Sequence, residues 1–328
     1  MSRKTIRIAC LGTPSDYRSG LVPLIIQKLG FQIDWVRPSR ADLLIYGSFY
    51  DANAPRLRWL PRSWRKRAGD LFDAIEQQLN QRDSCPVTLF HTAENLRHDH
   101  IKADYAISHD VGVVSDKHFR LPYWMEMIDW SHEGLVGNSN PRYGELLKLE
   151  KLQAPLGDAF LKRAQKAVLI TSHLREPRAA CLTVLQALMP VDGMGPYFDE
   201  SIKDHHRSQF TKKAMLQSYA FNLCPENGIH PGYVTEKIPE AFAAGCLPIT
   251  FVDEALSGDF NPKAMINLAT MMTEDSKTRE HIKSSLTPAA LATFANEALL
   301  LQTPSIYPLE AFVKGILEKA ITFRLKQH

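Results

Sequence analysis

The chain has 328 residues, of which 45% are hydrophobic and 23% charged, and a formal net charge of +3. These are the proportions of a globular protein long enough for two domains, and so slight a positive excess argues against a nucleic-acid partner. Five cysteines, an odd number with no CxxC pair, exclude a disulfide framework and a zinc ribbon and fit reduced thiols.

Met1–Arg7 is basic, but the apolar run that follows, Ile6–Leu11, has only six residues and reads as a first strand rather than a secretion signal. No apolar stretch approaches the ~20 residues that span a bilayer, so the expected location is the cytoplasm. The spacing predicts strands at Thr5–Leu11, Phe31–Val36, Ala41–Tyr46 and Pro86–His91, with helices at Gly20–Leu29 and Asp70–Leu79. Strands and helices that alternate through short turns make a parallel sheet flanked by helices. Arg56–Arg67 holds six cations around Trp59 and Trp64. It reads either as a patch for an acidic acceptor or membrane surface, or as a solvated loop.

Pro86–His91 delivers Thr92-Ala93-Glu94-Asn95. In an open α/β sheet, ligands bind beyond the carboxyl ends of strands. Glu94 is therefore either a general base at the edge of a cleft or a cap for the next helix. His98-Asp99-His100 and His205-His206 lack the further ligands that a metal site requires. Asp129–Pro141 is rich in Gly, Ser and Asn and is expected to be an irregular loop on the acceptor side. Helical spacing follows at Tyr143–Leu152, and a domain break is expected near Pro155.

The second half repeats the plan. Lys166–Thr171 is a strand, Ser172–Arg178 a turn and Ala179–Leu188 a helix. Asp192–His206 reads as a loop whose Gly193 and Gly195 could approach a ligand, and Ser208–Tyr219 as a helix. Next comes Phe221–Phe251, a strand, a Pro/Gly/Asn loop, a helix capped by Thr235 and a further strand, which together make a βαβ crossover. Lys237 in the first helical turn, with the helix dipole and exposed amides, suits a diphosphate. Glu236, Tyr233 and Asn227 could position sugar or phosphate. Tyr307–Lys326 is a terminal amphipathic helix that either packs on the core or offers a cationic face to a membrane.

The central stretch carries a resemblance. Glu226-Asn227, Gly232-Tyr233-Val234-Thr235-Glu236-Lys237-Ile238, Ala244-Gly245 and Pro248-Ile249 resemble the signature of the α1,3/α1,4-fucosyltransferases, glycosyltransferase family 10. Asp259-Phe260-Asn261-Pro262-Lys263 continues it. The family's P-I-Y-W-G is here Pro248-Ile249-Thr250-Phe251-Val252. Thr92–Asn95 resembles the family's Y-T-G-E-N, and Ser172–Arg178 its S-N-x-x-x-P-x-R, one residue shorter and with His173 for Asn.

The resemblance implies two Rossmann-like α/β domains facing each other across a cleft, the GT-B arrangement. The acceptor domain would be residues 1–155 and the GDP-sugar domain 156–305, with a C-terminal helix at 306–328. It implies inverting transfer of L-fucose from GDP-β-L-fucose to a glycan or lipid-linked saccharide acceptor. Glu94 would be the base, and Arg178 (Arg175 as fallback) and Lys237 would hold the diphosphate. Asn227, Tyr233 and Glu236 would bind the donor, with lesser parts for Ser172, Gly232 and Thr235. No D-x-D motif occurs, so no metal and no cofactor are expected in the reaction. The competing readings are a transferase for another nucleotide-sugar, a non-catalytic glycan-binding protein, and a dehydrogenase. The last ranks lowest, because Gly12-Thr13-Pro14-Ser15 is not a G-x-G-x-x-G fingerprint.

Overall fold

A computed structural model describes residues 4–50, 86–199, 211–254, 258–272 and 278–325. The basic segment Arg56–Arg67, the expected helix at 70–79, Cys85 and His205-His206 lie outside these residues. The chain divides into two compact units. The first comprises residues 1–108, 114–119 and 307–328, and the second residues 109–113 and 120–306.

The first unit is built on a six-stranded sheet in the order β2-β1-β3-β4-β5-β6. The strands are β1 (Lys4–Leu11), β2 (Phe31–Trp35), β3 (Leu43–Gly47), β4 (Val87–His91), β5 (Tyr105–Ser108) and β6 (His118–Arg120). β1 pairs in parallel with β2 and β3, and β3, β4 and β5 pair in parallel in turn. Ile6, Ile8, Leu43, Ile45, Leu89, Phe90 and Ile107 are buried, as continuous apolar strands covered on both faces should be.

The terminal helix Tyr307–Leu325 belongs to this unit. Its Leu309, Val313, Ile316, Leu317 and Ala320 are buried. Phe312 lies between the rings of Tyr105 and Phe119, at centroid distances of 5.9 and 5.5 Å. Glu310 pairs with Lys28 of the helix Leu21–Lys28. The apolar stripe is thus taken up by packing inside the protein. Among the described residues, no helix is long and apolar enough to cross a membrane.

The second unit is built on a five-stranded sheet in the order β11-β10-β9-β7-β8. Its strands are β7 (Ala167–Ile170), β8 (Val191–Met194), β9 (Phe221–Leu223), β10 (Leu247–Thr250) and β11 (Ile266–Asn267), paired in parallel. Helices Arg178–Gln186, Lys212–Leu216 and Lys237–Ala243 fill the successive crossovers. From β7 the chain first steps outward to β8 and then back to β9 on β7's other side. That reversal makes the carboxyl ends of β7 and β9 a topological switch point, where open α/β sheets bind ligands.

Several expectations differ from the structure. The break expected near residue 155 does not divide the two units, because residues 120–153 pack with the second. Asn140 Nδ2 donates to Glu240 (2.8 Å), and Lys212 N–H to the Arg142 carbonyl (3.0 Å). The loop read as acceptor-side is anchored in this unit, with Trp130, Leu135 and Tyr143 buried. The helix expected over Tyr143–Leu152 starts only at Leu149, because Gly144 takes a φ of +107° against the Thr211 side chain. Part of the loop expected over Asp192–His206 is the edge strand β8, whose Asp and Gly hide its strand character. The helix expected at Ser208–Tyr219 is described over Lys212–Leu216, where Thr211 Oγ1 accepts the Ala214 N–H.

Candidate functional site

An open cavity of about 190 Å³ lies over the carboxyl ends of β7 and β9 in the second unit. Thr171 and Ser172 come from the end of β7, Cys224 and Pro225 from the end of β9, and Gly195 and Pro196 from the end of β8. Arg178, Lys212, Glu236 and Lys237 come from the ends of the crossover helices, and Arg142 from the loop before them. Among the described residues, its charged walls comprise four cations and one carboxylate. Gly195 has a φ of +90°, and a Cβ there would lie 2.8 Å from the Thr171 carbonyl oxygen, so only glycine lets this wall close on β7. Gly193 does not face the cavity: the ring of Phe198 fills the space a side chain would occupy.

Arg178 opens its helix and is 8% exposed. Its Nη1 donates to Thr171 Oγ1 (2.8 Å) and approaches His173 Nε2 (3.1 Å), while Nη2 donates to Asn227 Oδ1 (2.5 Å). These partners are neutral, so they satisfy the guanidinium without cancelling its charge. Burial lowers the Arg178 pKa, with Glu226 and Glu236 pulling the other way. Burial and then Arg178 lower the pKa of His173, which favours the neutral ring beside the guanidinium.

Lys237 is held differently. Its ammonium donates to Glu226 Oε2 (2.7 Å) and Thr235 Oγ1 (2.6 Å). Glu226 is fully buried and also accepts the Thr235 N–H (2.8 Å) and hydroxyl (2.8 Å). Burial disfavours the ammonium, yet the charges of Glu226 and Glu236 outweigh it and raise the Lys237 pKa. Lys212 repeats the pattern: it donates to Glu240 (2.6 Å), which is buried and also held by Asn140. Burial alone would raise the pKa of Glu236 on the cavity wall, but the flanking Lys237 and Lys212 hold it below the ordinary carboxylate range.

Of the residues singled out in the sequence, Ser172, Arg178, Gly195, Glu236 and Lys237 line this cavity. Asn227 reaches it only through Arg178. Tyr233 is 3% exposed and stacks edge-on with His109 at 4.9 Å, away from the wall. Gly232 is a tight backbone position, with a φ of +78° and a would-be Cβ 2.5 Å from the His109 carbonyl oxygen. Thr235 is not the helix cap. The helix runs from Lys237 to Ala243 with Glu236 at the cap, and Thr235 gives both its N–H and its hydroxyl to Glu226. Pro239 has no N–H to offer, so the charge of the site comes from side chains more than from helix amides. Arg175 makes its described contact through its backbone N–H, to His173, and does not line the cavity.

Glu94 belongs to the first unit. It is exposed just past the carboxyl end of β4, with its N–H donated to Thr92 Oγ1 (3.1 Å). No helix follows it in residues 95–104, so the capping role has nothing to cap. Sequence reasoning missed Glu226, Lys212, Glu240 and Thr171. Glu226 sits inside the quoted motif, and its place between a Pro and an Asn before Thr235 and Lys237 was the available signal.

Residues 160–283 match the description "Glycosyltransferase family 10 (fucosyltransferase) C-term". The alpha-(1,3)-fucosyltransferase FucT of Helicobacter pylori is 27% identical over 259 residues, covering 70% of this chain and 52% of the relative. The matched region thus spans about half the length of that relative. Among solved structures, an alpha1,3-fucosyltransferase aligns over 97% of this chain and 91% of its own, with a TM-score of 0.65 and 23% identity. The structure of an alpha1,3-fucosyltransferase with GDP-fucose aligns over 97% and 92%, with a TM-score of 0.64 and 22% identity. These likenesses show the fold, the GT-B class with its two Rossmann-like α/β units. The matched segment is laid over β7 to β11 and the cavity they frame, so the likeness to glycosyltransferase family 10 falls on the part of the chain that carries the site.

Proposed function

We propose that the chain is an inverting fucosyltransferase, moving L-fucose from GDP-β-L-fucose to a glycan hydroxyl, O3 of a GlcNAc- or Glc-type residue. The carrying observation is the charge of the cavity, four cations to one carboxylate among the described residues, at the switch point of a parallel sheet. Arg178 and Lys237 hold the diphosphate. Glu236 accepts from the ribose or fucose hydroxyls, Asn227 fixes the Arg178 fork, and Tyr233, Gly232 and Thr235 shape the loop before the helix. Glu94 removes the proton of the acceptor hydroxyl as that oxygen bonds to the anomeric carbon. The bond from that carbon to the β-phosphate oxygen breaks, and its electron pair leaves with GDP. The growing negative charge falls on Arg178 and Lys237 in place of a divalent ion, each preorganised donor being worth about 2–4 kcal/mol in the transition state.

The departure at Thr250-Phe251-Val252 does not weigh against fucose at this wall. Thr250 and Val252 are buried, with the Thr250 hydroxyl donated to the Cys224 carbonyl, and none of the three lines the cavity.

The test is an acceptor panel (LacNAc, lacto-N-biose, GlcNAc, lipopolysaccharide core fragments, lipid-linked saccharides) with GDP-fucose, read by product mass and linkage. Glu94→Gln should keep GDP affinity and lose about 10²–10⁴-fold in turnover, the usual contribution of a general base. Native turnover in that variant removes Glu94 from the role. GDP binding without transfer to any acceptor leaves the non-catalytic glycan-binding reading.

A further inference from the structure

Outside the cavity, the second unit brings two histidines and an aspartate together. One ring nitrogen each from His109 and His230 and a carboxylate oxygen of Asp110 lie within 4.8 Å of one another. His109 and Asp110 are buried, at 2% and 6% exposure, and His230 is half-buried. Among the described residues no other such trio occurs, and none of its members was singled out in the sequence.

We propose that His109, Asp110 and His230 form a site for a divalent first-row transition metal of the Zn²⁺ class, independent of the donor reading above. Two imidazoles with one carboxylate select borderline cations over Mg²⁺ or Ca²⁺, which prefer all-oxygen shells. The tautomer of His230 suits the role. Its Nδ1 faces the Pro231 carbonyl at 3.1 Å, and a carbonyl can only accept, so Nδ1 carries the proton and the lone pair sits on Nε2. Metal-bound histidines are oriented by such a contact.

The two backbone segments that supply the ligands are also fixed to each other. Arg120 Nε donates to the His109 carbonyl (3.1 Å) and Arg120 Nη2 to the Gly232 carbonyl (3.4 Å). Asp259 holds the same guanidinium, with Nη1 to Oδ1 at 3.1 Å. Gly232 packs directly on the His109 carbonyl, and Tyr233 stacks on the His109 ring. The His109 and His230 rings stand 5.8 Å apart at 78°, an arrangement in which two in-plane lone pairs can converge on one point. The partly exposed edge of His230 gives an ion its way in.

The three ligands do not line the cavity. An ion here would tie the segment after Ser108 to the loop that carries Asn227 and Tyr233, and would not neutralise the diphosphate.

The experiment is Co²⁺ titration of the full chain after chelation, followed in the visible spectrum, with Zn²⁺ competition and thermal melts. The expected result is one equivalent of Co²⁺ with d–d bands that Zn²⁺ abolishes, and a melting temperature raised by either ion. His230→Ala and Asp110→Asn should each weaken binding by more than about 10-fold, since even the loss of an outer-shell partner costs about 10–100-fold. Both variants should retain the native circular dichroism spectrum. His132→Ala, an exposed histidine outside the trio, should bind as the native chain does. No stoichiometric Co²⁺ or Zn²⁺ binding, or binding that survives His230→Ala unchanged, overturns the proposal.

Discussion

Lys237 faces the cavity and is also held by a buried carboxylate, so its two roles can be separated. Lys237→Met leaves Glu226 fully buried with Thr235 as its remaining described donor. Breaking a buried pair from one side costs about 3–5 kcal/mol, because the surviving charge has no compensation. In Lys237→Met/Glu226→Gln that charge is gone, and an amide oxygen can still accept the Thr235 N–H. Most of the lost stability should return, giving a coupling of about 0.5–3 kcal/mol between the two sites. Donor affinity should not return. If the ammonium contributes about 2–4 kcal/mol to holding the diphosphate, GDP should bind about 30–900-fold more weakly to both variants. Denaturant titration and calorimetry with GDP measure the two quantities on the same protein. If the double variant recovers GDP affinity along with stability, Lys237 is a structural cation and the diphosphate reading fails at that residue.

Three further outcomes follow from the same geometry. Arg178→Ala removes a cation whose partners are neutral, so it should cost more GDP affinity than Lys237→Met and less stability; the reverse order in the same two assays would mean the pairings are misread. The His173 pKa in the folded chain lies below the ordinary histidine value, through burial and the nearby Arg178, so the unfolded chain takes that proton first. Stability should fall as pH drops from neutrality through the ordinary histidine range towards the folded value, and His173→Gln should flatten that part of the curve; an unchanged pH profile in the variant refutes the assignment. Gly195→Ala places a Cβ 2.8 Å from the Thr171 carbonyl oxygen at a φ of +90°. It should cost about 1–3 kcal/mol of stability, and a melting temperature equal to the native one would show that the wall can relax.

How much could be read in advance depends on the range of the forces involved. β1, β3, β4, β7, β9 and β10 are short, largely apolar runs, so local composition sufficed to find them. β8 reads Val-Asp-Gly-Met and becomes a strand only because β7 offers it an edge, which is tertiary information. Thr235 looked like a helix cap because threonines before apolar spacing usually are. Its hydroxyl was instead claimed by a carboxylate nine residues earlier, which is adjacent only once the loop has closed. Arg178, Glu236 and Lys237 were found because they lie in motifs. Lys212 was not, because it reaches the cavity from a short helix with no pattern of its own.

The cations of the site fall into two kinds, and the difference accounts for the buried carboxylates behind it. A cavity walled by unpaired, partly buried cations would raise the cost of folding through mutual repulsion and desolvation. Glu226 and Glu240, buried and not among the lining residues, pair with Lys237 and Lys212 and offset that cost while the lysines remain on the wall. On the proposed reading, an arriving diphosphate would meet lysines already held in place by their carboxylates. Arg178 is tuned the opposite way. Thr171, His173 and Asn227 orient its fork but supply no countercharge, so an arriving anion gains most from it. On the proposed reading, the paired lysines would set the position of the phosphates, and Arg178, whose described partners are neutral, would supply most of the differential attraction as charge builds on a departing nucleotide.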